Sequence, residues 1–388
     1  MNCRVNRNRG LHCICALGLA LASAALAHAA NLPERLGIRG GKALFQAACA
    51  ACHGPNGEGT PQSIAGFDRP DTFPDFSGCD QSAPEQTRNW KAVIRDGGPA
   101  RGFSEIMPAY GDVLTSEQMD ELVVFMRRLC KEEGWAVGEL NVPRALVTEK
   151  AFPESETVLT TSINAQRAPG INNELAYERI LGKRDQLEVA IPFGWVHKPG
   201  GGFTAGIGDI ALAIKHVAFA QLDDPGFQPY NSTGSILSFQ AEMALATGNK
   251  ARGLGSGETT IGLAAAYDRL LPAQVFVQFQ GGVDLPFNSE HVPRSAYLRT
   301  AVGRSFSGLA EKRLWTPMLE FLGERDLVSG ATTHWDVLPE FQVTLNRRQH
   351  VRAALGYRIP LNDTAERSRA LMFYFMWDWF DGGLREGW

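Results

Sequence analysis

From about residue 156 onward the chain alternates. In "LEVAIPFGWVH", Leu187, Val189, Ile191, Phe193 and Trp195 are interleaved with Glu188, Ala190, Pro192 and Gly194. "QVFVQFQGGVDLPF" sets Val275, Val277, Phe279, Val283, Leu285 and Phe287 against Gln278, Gln280 and Asp284. "HWDVLPEFQVTLN" repeats the scheme with Trp335, Val337, Phe341, Val343 and Leu345. A period of two puts successive side chains on opposite faces of a strand, so each stretch is a strand with one apolar and one polar face. The pattern predicts about twelve strands, at 157–165, 174–183, 186–196, 207–219, 235–246, 258–269, 273–286, 295–306, 313–323, 333–346, 349–359 and 369–380.

The polar face decides what encloses these strands. Bulk water beside a sandwich or propeller tolerates long charged side chains everywhere. Here that face is mostly Gly, Ala, Ser, Thr and Gln, with scattered charges at Glu188, Asp209, Lys215, Glu242, Asp284, Arg299, Glu340, Arg352 and Arg358. The apolar face is unbroken and its aromatics lie toward the strand ends. An outward apolar band, aromatic edges and a small-polar lumen predict an antiparallel transmembrane β-barrel across residues 156–388; a soluble β domain is the competing reading. Links near Lys183, Pro272 and Arg347 are short, and those near Gly170, Gly200, Gly253, Ser289, Ser329 and Asp363 are longer, as periplasmic turns and extracellular loops should be. "QLDDPGFQPYNST" at 221–233 breaks that rule. The closing "ALMFYFMWDWF" and Trp388 resemble the aromatic end of many bacterial outer-membrane proteins.

The front third is built differently. Residues 1–29 predict a secretory signal: Arg4, Arg7 and Arg9, an apolar stretch from Leu11 to Leu26, then Ala27-His28-Ala29 as a cleavage site. Cys13 and Cys15 would leave with it. Within "QAACAACHGPNG", Cys49, Cys52 and His53 have the spacing that attaches a c-type haem, two thiols for two vinyl groups and a histidine beside the iron. A zinc site would need a second ligand pair at matching spacing, and a thioredoxin-like motif would need a surrounding βαβ pattern; neither follows. Cys79 and Cys130 remain, and in an oxidising compartment they either form a disulfide or stay as two buried thiols.

Leu44, Phe45, Ala48 and Cys52 recur at helical spacing, which puts the haem cysteines at the end of an amphipathic helix. Residues 55–84 are rich in Gly, Pro, Ser and Asp and read as loop. A short helix follows over 84–95 with Trp90 and Val93-Ile94 inward. A final helix begins at a Thr115 or Ser116 cap, with Leu122, Phe125, Met126 and Leu129 as its stripe. Three methionines could supply the sixth iron ligand. Met107 is favoured because Pro108 keeps "IMPAYG" out of helix, whereas Met119 and Met126 lie on the final helix, where a core role is ordinary. His/Met ligation fills both axial positions, which predicts an electron carrier rather than an enzyme.

With Gly41 and Phe45 on its first helix, the CxxCH motif, a Met-Pro loop and Leu122 and Phe125 on its last helix, the segment 36–134 resembles class I cytochromes c. The resemblance implies an all-α domain with one covalent haem c, Cys49 and Cys52 as thioether attachments, and His53 and Met107 as the iron-binding metal ligands. A clear Gly-Pro-x-Leu is missing after the haem motif, so the carbonyl that orients His53 is left open. Residues 135–155 carry no sustained period and read as a linker.

The whole chain resembles outer-membrane cytochrome–porin fusions that oxidise iron at the cell surface. That resemblance implies an outer-membrane address, lipid contact, and redox partner proteins or an extracellular electron donor or acceptor. A haem domain with a radius of gyration near 13 Å is too large for a twelve-stranded lumen, so it should sit at the periplasmic mouth. Three roles compete: a redox conduit through the barrel, a periplasmic carrier anchored by a small-solute pore, and a soluble secreted haem enzyme. A net charge of -4 without a basic cluster argues against nucleic acid.

Overall fold

The computed structural model describes residues 37–63, 65–164, 166, 169–197, 201–223, 231–307 and 313–388. The expected signal segment, with Cys13 and Cys15, lies outside the described residues.

The alternating region forms fourteen strand segments: β1 Glu156–Asn164, β2 Gly170–Leu181, β3 Asp185–His197, β4 Phe203–Ile207, β5 Ala211–Leu222, β6 Gly234–Ala244, β7 Thr260–Leu271, β8 Val275–Pro286, β9 Ser295–Arg304, β10 Phe306–Ser307, β11 Leu314–Asp326, β12 His334–Thr344, β13 Val351–Pro360 and β14 Ala370–Asp378. β4 and β5 both pair with β3, one above the other, and β10 continues β9 past Ser305, so the segments make twelve staves. Every neighbour is antiparallel. β14 pairs with β1 from Glu156↔Asp378 to Asn164↔Ala370, and β9 pairs with β11, which closes the barrel.

Burial follows the period-two pattern. On β14, Met372, Tyr374 and Met376 point inward and are buried, while Leu371, Phe373 and Phe375 are exposed. Trp195 stacks on Phe203 at 4.1 Å near the long-loop end, and Trp315 lies 5.3 Å from Phe341 near the other. Such an outward apolar surface is stable only against lipid or another apolar phase. At the short-turn end, Ala273 and Gln274 both take positive φ, the backbone that a tight two-residue hairpin turn needs. Asp223 donates its N–H to the Thr233 carbonyl at 2.8 Å, so the long link 223–233 joins β5 to β6 at this same end. The alternation of ends therefore holds there, despite the link's length.

The lumen holds part of its own chain. Residues 142–155, within the stretch that reads as a linker, run inside the barrel. Their backbone N–H groups donate to side chains of distant strands: Leu146 to Glu340 at 3.0 Å, Val147 and Thr148 to Glu320 at 3.1 and 2.6 Å, Ala151 to Asp268 at 2.8 Å and Glu154 to Gln186 at 2.7 Å. Arg144 bridges Glu156 at 2.9 Å and Glu178 at 2.5 Å, and its carbonyl accepts from the Tyr374 hydroxyl at 2.9 Å. Buried polar groups need partners, and here the segment and the wall supply each other's.

The front region packs helices instead. These are α1 Gly41–Ala48, α2 Ala50–His53, α3 Cys79–Ser82, α4 Thr87–Asp96 and α5 Ser116–Arg127. α5 opens with a capping box in which the Thr115 hydroxyl accepts from the Gln118 N–H and the Gln118 side chain accepts from the Thr115 N–H. α1 crosses α5 at Gly41, where a Cβ would stand 1.9 Å from the Glu121 carbonyl oxygen, so only glycine permits the approach. Phe45 lies 5.3 Å from Phe125 across the same crossing. Cys79 and Cys130 form a disulfide that ties α3 to the chain beyond α5.

The helical module sits on the short-turn end of the barrel. Arg184 donates to the Gly134 carbonyl at 3.0 Å, Arg88 to Gln274 at 2.6 Å, and Arg348 to the Gly102 carbonyl at 2.8 Å while stacking 4.4 Å over Phe103. These contacts use three different turns around one mouth, so the module lies outside the lumen.

Candidate haem site

Cys49 lies at the joint between α1 and α2; its φ of -119° breaks the helix, and His53 ends the short turn that follows. Gly54, Gly57 and Gly59 all take positive φ, and they reverse the chain after His53. The reversal is held by the Gly59 N–H on the His53 carbonyl at 2.7 Å and the Thr60 N–H on the Cys52 carbonyl at 2.9 Å. His53 is 9% exposed, its ring stacked 4.9 Å from Phe73 and tilted against Phe76 at 5.1 Å.

Phe76 belongs to an apolar cluster with Leu44, Phe45, Ile94, Leu114 and Leu122, against which Cys49 and Met107 also pack. Cys49 of the motif and the Met-Pro loop therefore share one apolar surface. The two other methionines, Met119 and Met126, are buried in that core at 3% and 5% exposure, as helix positions should be. Met107 is half-buried, on the loop beyond α4. Its carbonyl accepts from the Gly98 N–H at 3.0 Å, and a Cβ on Gly98 would meet the Ser104 carbonyl oxygen at 2.1 Å, so this glycine lets the loop fold tightly under the methionine.

The site fits a haem c. Cys49 and Cys52 are free and half-buried side by side. Burial, with Cys52 beside it, pushes the Cys49 thiol up to about 11. Burial and then the Arg69 charge push His53 down to about 4, so its imidazole is neutral at physiological pH, the form that binds iron. The His53 Nδ1 atom is buried with no hydrogen-bond partner, as are Nε and Nη2 of Arg69, whose guanidinium lies 5.1 Å over Phe73. An apolar pocket with two thiols, a neutral histidine and an unanswered cation suits a porphyrin with acidic substituents. Arg69 and Phe73 carried no signal in the Gly/Pro-rich loop. Tyr110, whose hydroxyl donates to the Ala48 carbonyl at 2.9 Å and ties the methionine loop to the haem-motif helix, could have been found three residues beyond Met107.

Residues 37–126 match the family model described as cytochrome C oxidase, cbb3-type, subunit III. This segment is a cytochrome c domain. Among curated proteins, none matches the chain in sequence. An outer membrane channel from Pseudomonas putida F1 covers 59% of this chain and 97% of its own, at 17% identity and a TM-score of 0.37. The KdgM porin covers 57% and 98%, at 8% identity and 0.33. The β domain of the Bordetella autotransporter BrkA covers 57% and 95%, at 10% identity and 0.31. The barrel itself is established by the chain's own strand pairing. The chain thus joins a cytochrome c domain to a closed antiparallel barrel of twelve staves.

Proposed function

We propose that this chain is an electron-transfer protein of the outer membrane, with a single haem c held at the periplasmic mouth of a barrel that serves as its anchor. The carrying observation is the shared apolar surface under Cys49, His53 and Met107, on a module docked against the short-turn end of the barrel. Cys49 and Cys52 would hold the porphyrin by thioether bonds, His53 and Met107 would bind the iron, and Arg69 would answer the acidic substituents. A haem bound in this way supplies one-electron iron redox chemistry. With His53 and Met107 both bound to iron, the haem would have no open position for substrate, which supports a carrier that exchanges electrons with redox partners. The periplasmic side follows from the turns: in outer-membrane barrels the short ones face the periplasm, and the module sits on them.

The filled lumen favours an anchor over a small-solute pore and over a conduit entered from outside. The apolar band of such a barrel is about 25 Å tall, a long way from one haem at one mouth. Purified protein should carry one haem per chain by haemochrome assay, fractionate with membranes and require detergent. Met107→Ala should abolish the sulfur-to-iron charge-transfer band and lower the reduction potential, and an unchanged band would assign the ligand elsewhere. In proteoliposomes, rapid haem reduction by an impermeant reductant offered only at the long-loop side would replace the anchor with the conduit.

A further inference from the structure

The short turn Gly138–Leu140 is gripped by both regions of the molecule. On one side, Leu140 is buried in an apolar cluster with the inward-facing Val217 of β5, Ile236 of β6 and Ala266 of β7. On the other, Gly138 donates to the Ala83 carbonyl at 2.8 Å, and a Cβ there would stand 2.1 Å from the Pro84 carbonyl oxygen. Glu139, between them, is thus held by the barrel and presented to the cytochrome domain.

Its Oε1 accepts from the Thr87 N–H at 2.7 Å and lies 3.4 Å from Nη2 of Arg127, the last residue of α5. The two side chains are 7% and 3% exposed, so the pair is out of water. The Arg127 guanidinium lies 4.1 Å over the Trp90 ring, Trp90 stands edge-on to Phe76 at 5.3 Å, and Phe76 leans on the His53 ring at 5.1 Å. Two aromatic side chains therefore separate a buried cation from the histidine of the haem motif. Arg127 also donates to the Ser82 carbonyl at 2.6 Å, to the Thr87 hydroxyl at 3.2 Å and to the Glu85 carbonyl. Those acceptors are neutral, so they fix the guanidinium without cancelling its charge.

We infer that Glu139 is the counter-charge through which the barrel sets the reduction potential of the cytochrome domain. The inference rests on the reading of His53 as an iron ligand. Ferric haem carries one more positive charge than ferrous haem, so a nearby cation raises the potential and a nearby anion lowers it. Buried charges are screened far less than exposed ones, and the dielectric around a haem is one of the protein's levers on its potential. Arg127 alone would favour the ferrous state; Glu139 offsets it, acting through Arg127 rather than by contact with the haem. Because the barrel grips Leu140, the potential belongs to the assembled chain.

Spectroelectrochemical titration of the full-length haem-loaded protein in detergent reads the midpoint potential. Glu139→Gln keeps an oxygen for the Thr87 N–H and for Arg127 while removing the charge, so the potential should rise. Arg127→Gln should lower it, and the double variant should return close to the wild type, a cancellation that a merely structural role would not give. Glu132→Gln removes an exposed carboxylate from the same stretch of chain and should leave the potential where it was. In a variant that keeps the sulfur-to-iron band, an unmoved potential or a shift of the opposite sign would overturn the counter-charge, as would an equal rise in Glu132→Gln. Should Arg127→Gln or Glu139→Gln lose that band by misfolding, the other decides alone. A wild-type chain without covalent haem would overturn the electron-carrier reading as well, and the spectrum separates that failure from an unmoved potential.

Discussion

The cytochrome domain and the barrel bury opposite chemistry. In the former, Phe45 and Val123 are fully buried at the centre of an apolar cluster, with a few buried polar side chains such as Lys91 and Arg127 around it. In the latter, Glu156, Gln186, Gln278 and Glu320 are equally buried, while Phe239, Phe321 and Leu355 lie on the surface. The helical module is organised by water outside and an apolar centre. The barrel reverses this because its outside is the apolar phase and its centre is polar, with the lumen segment's N–H groups answered by wall carboxylates and amides. Burial by itself therefore says nothing about hydrophobicity; what matters is which phase borders each face.

The sharpest way to break the comparison is to remove the haem. Cys49→Ala with Cys52→Ala should abolish haem that survives denaturing electrophoresis and unfold the cytochrome domain, leaving the barrel's heat-modifiable mobility intact. Loss of both signals together would show that the two regions do not fold independently. Next, Met119→Ala should cost the cytochrome about 2–5 kcal/mol in denaturant unfolding with the ligand spectrum unchanged, since Met119 is core and Met107 is not. On the barrel, Leu319→Arg places a cation on the outer face near the middle of β11, where about 2–4 kcal/mol is expected if lipid borders it; a neutral effect would favour water there. Glu320→Ala strips the acceptor from Val147 and Thr148 and should cost about 1–3 kcal/mol for each unpaired group, with raised ion conductance in planar bilayers as the lumen segment loosens. Thr115→Ala should be the mildest, about 1 kcal/mol from the lost cap, seen as a small drop in the cytochrome's melting temperature.

The alternation was readable because each stave announces itself locally: Trp335, Val337 and Phe341 face outward whatever the rest of the chain does. The same held for the CxxCH turn and for the Thr115 cap. Residues 142–155 were not readable, because an extended segment whose N–H groups are answered by Glu320, Glu340, Asp268 and Gln186 needs no period of its own. The β4–β5 break was likewise hidden: 207–219 reads as one strand, whereas the chain interrupts itself at 208–210 and begins the stave earlier, at Phe203. At the candidate haem site the CxxCH motif was legible, but Arg69 and Phe73 were not, since a loop residue's neighbours are set by a fold that spacing does not describe. For Cys79 and Cys130, residue counts left two outcomes open, and only their proximity decides.

The seam between β1 and β14 joins strands more than two hundred residues apart, so it carries the largest loop-closure entropy of any pairing in the sheet. Leu146 packs in one cluster with Val158 on one side of that seam and Met372, Tyr374 and Met376 on the other, while Arg144 is held by Tyr374. The stretch of chain that leads into the first stave is thus also the surface on which the last stave is laid. Biogenesis of such a barrel has an order written into it: the ring shuts around its own leader, and a chain lacking residues 142–151 should insert more slowly than it should leak.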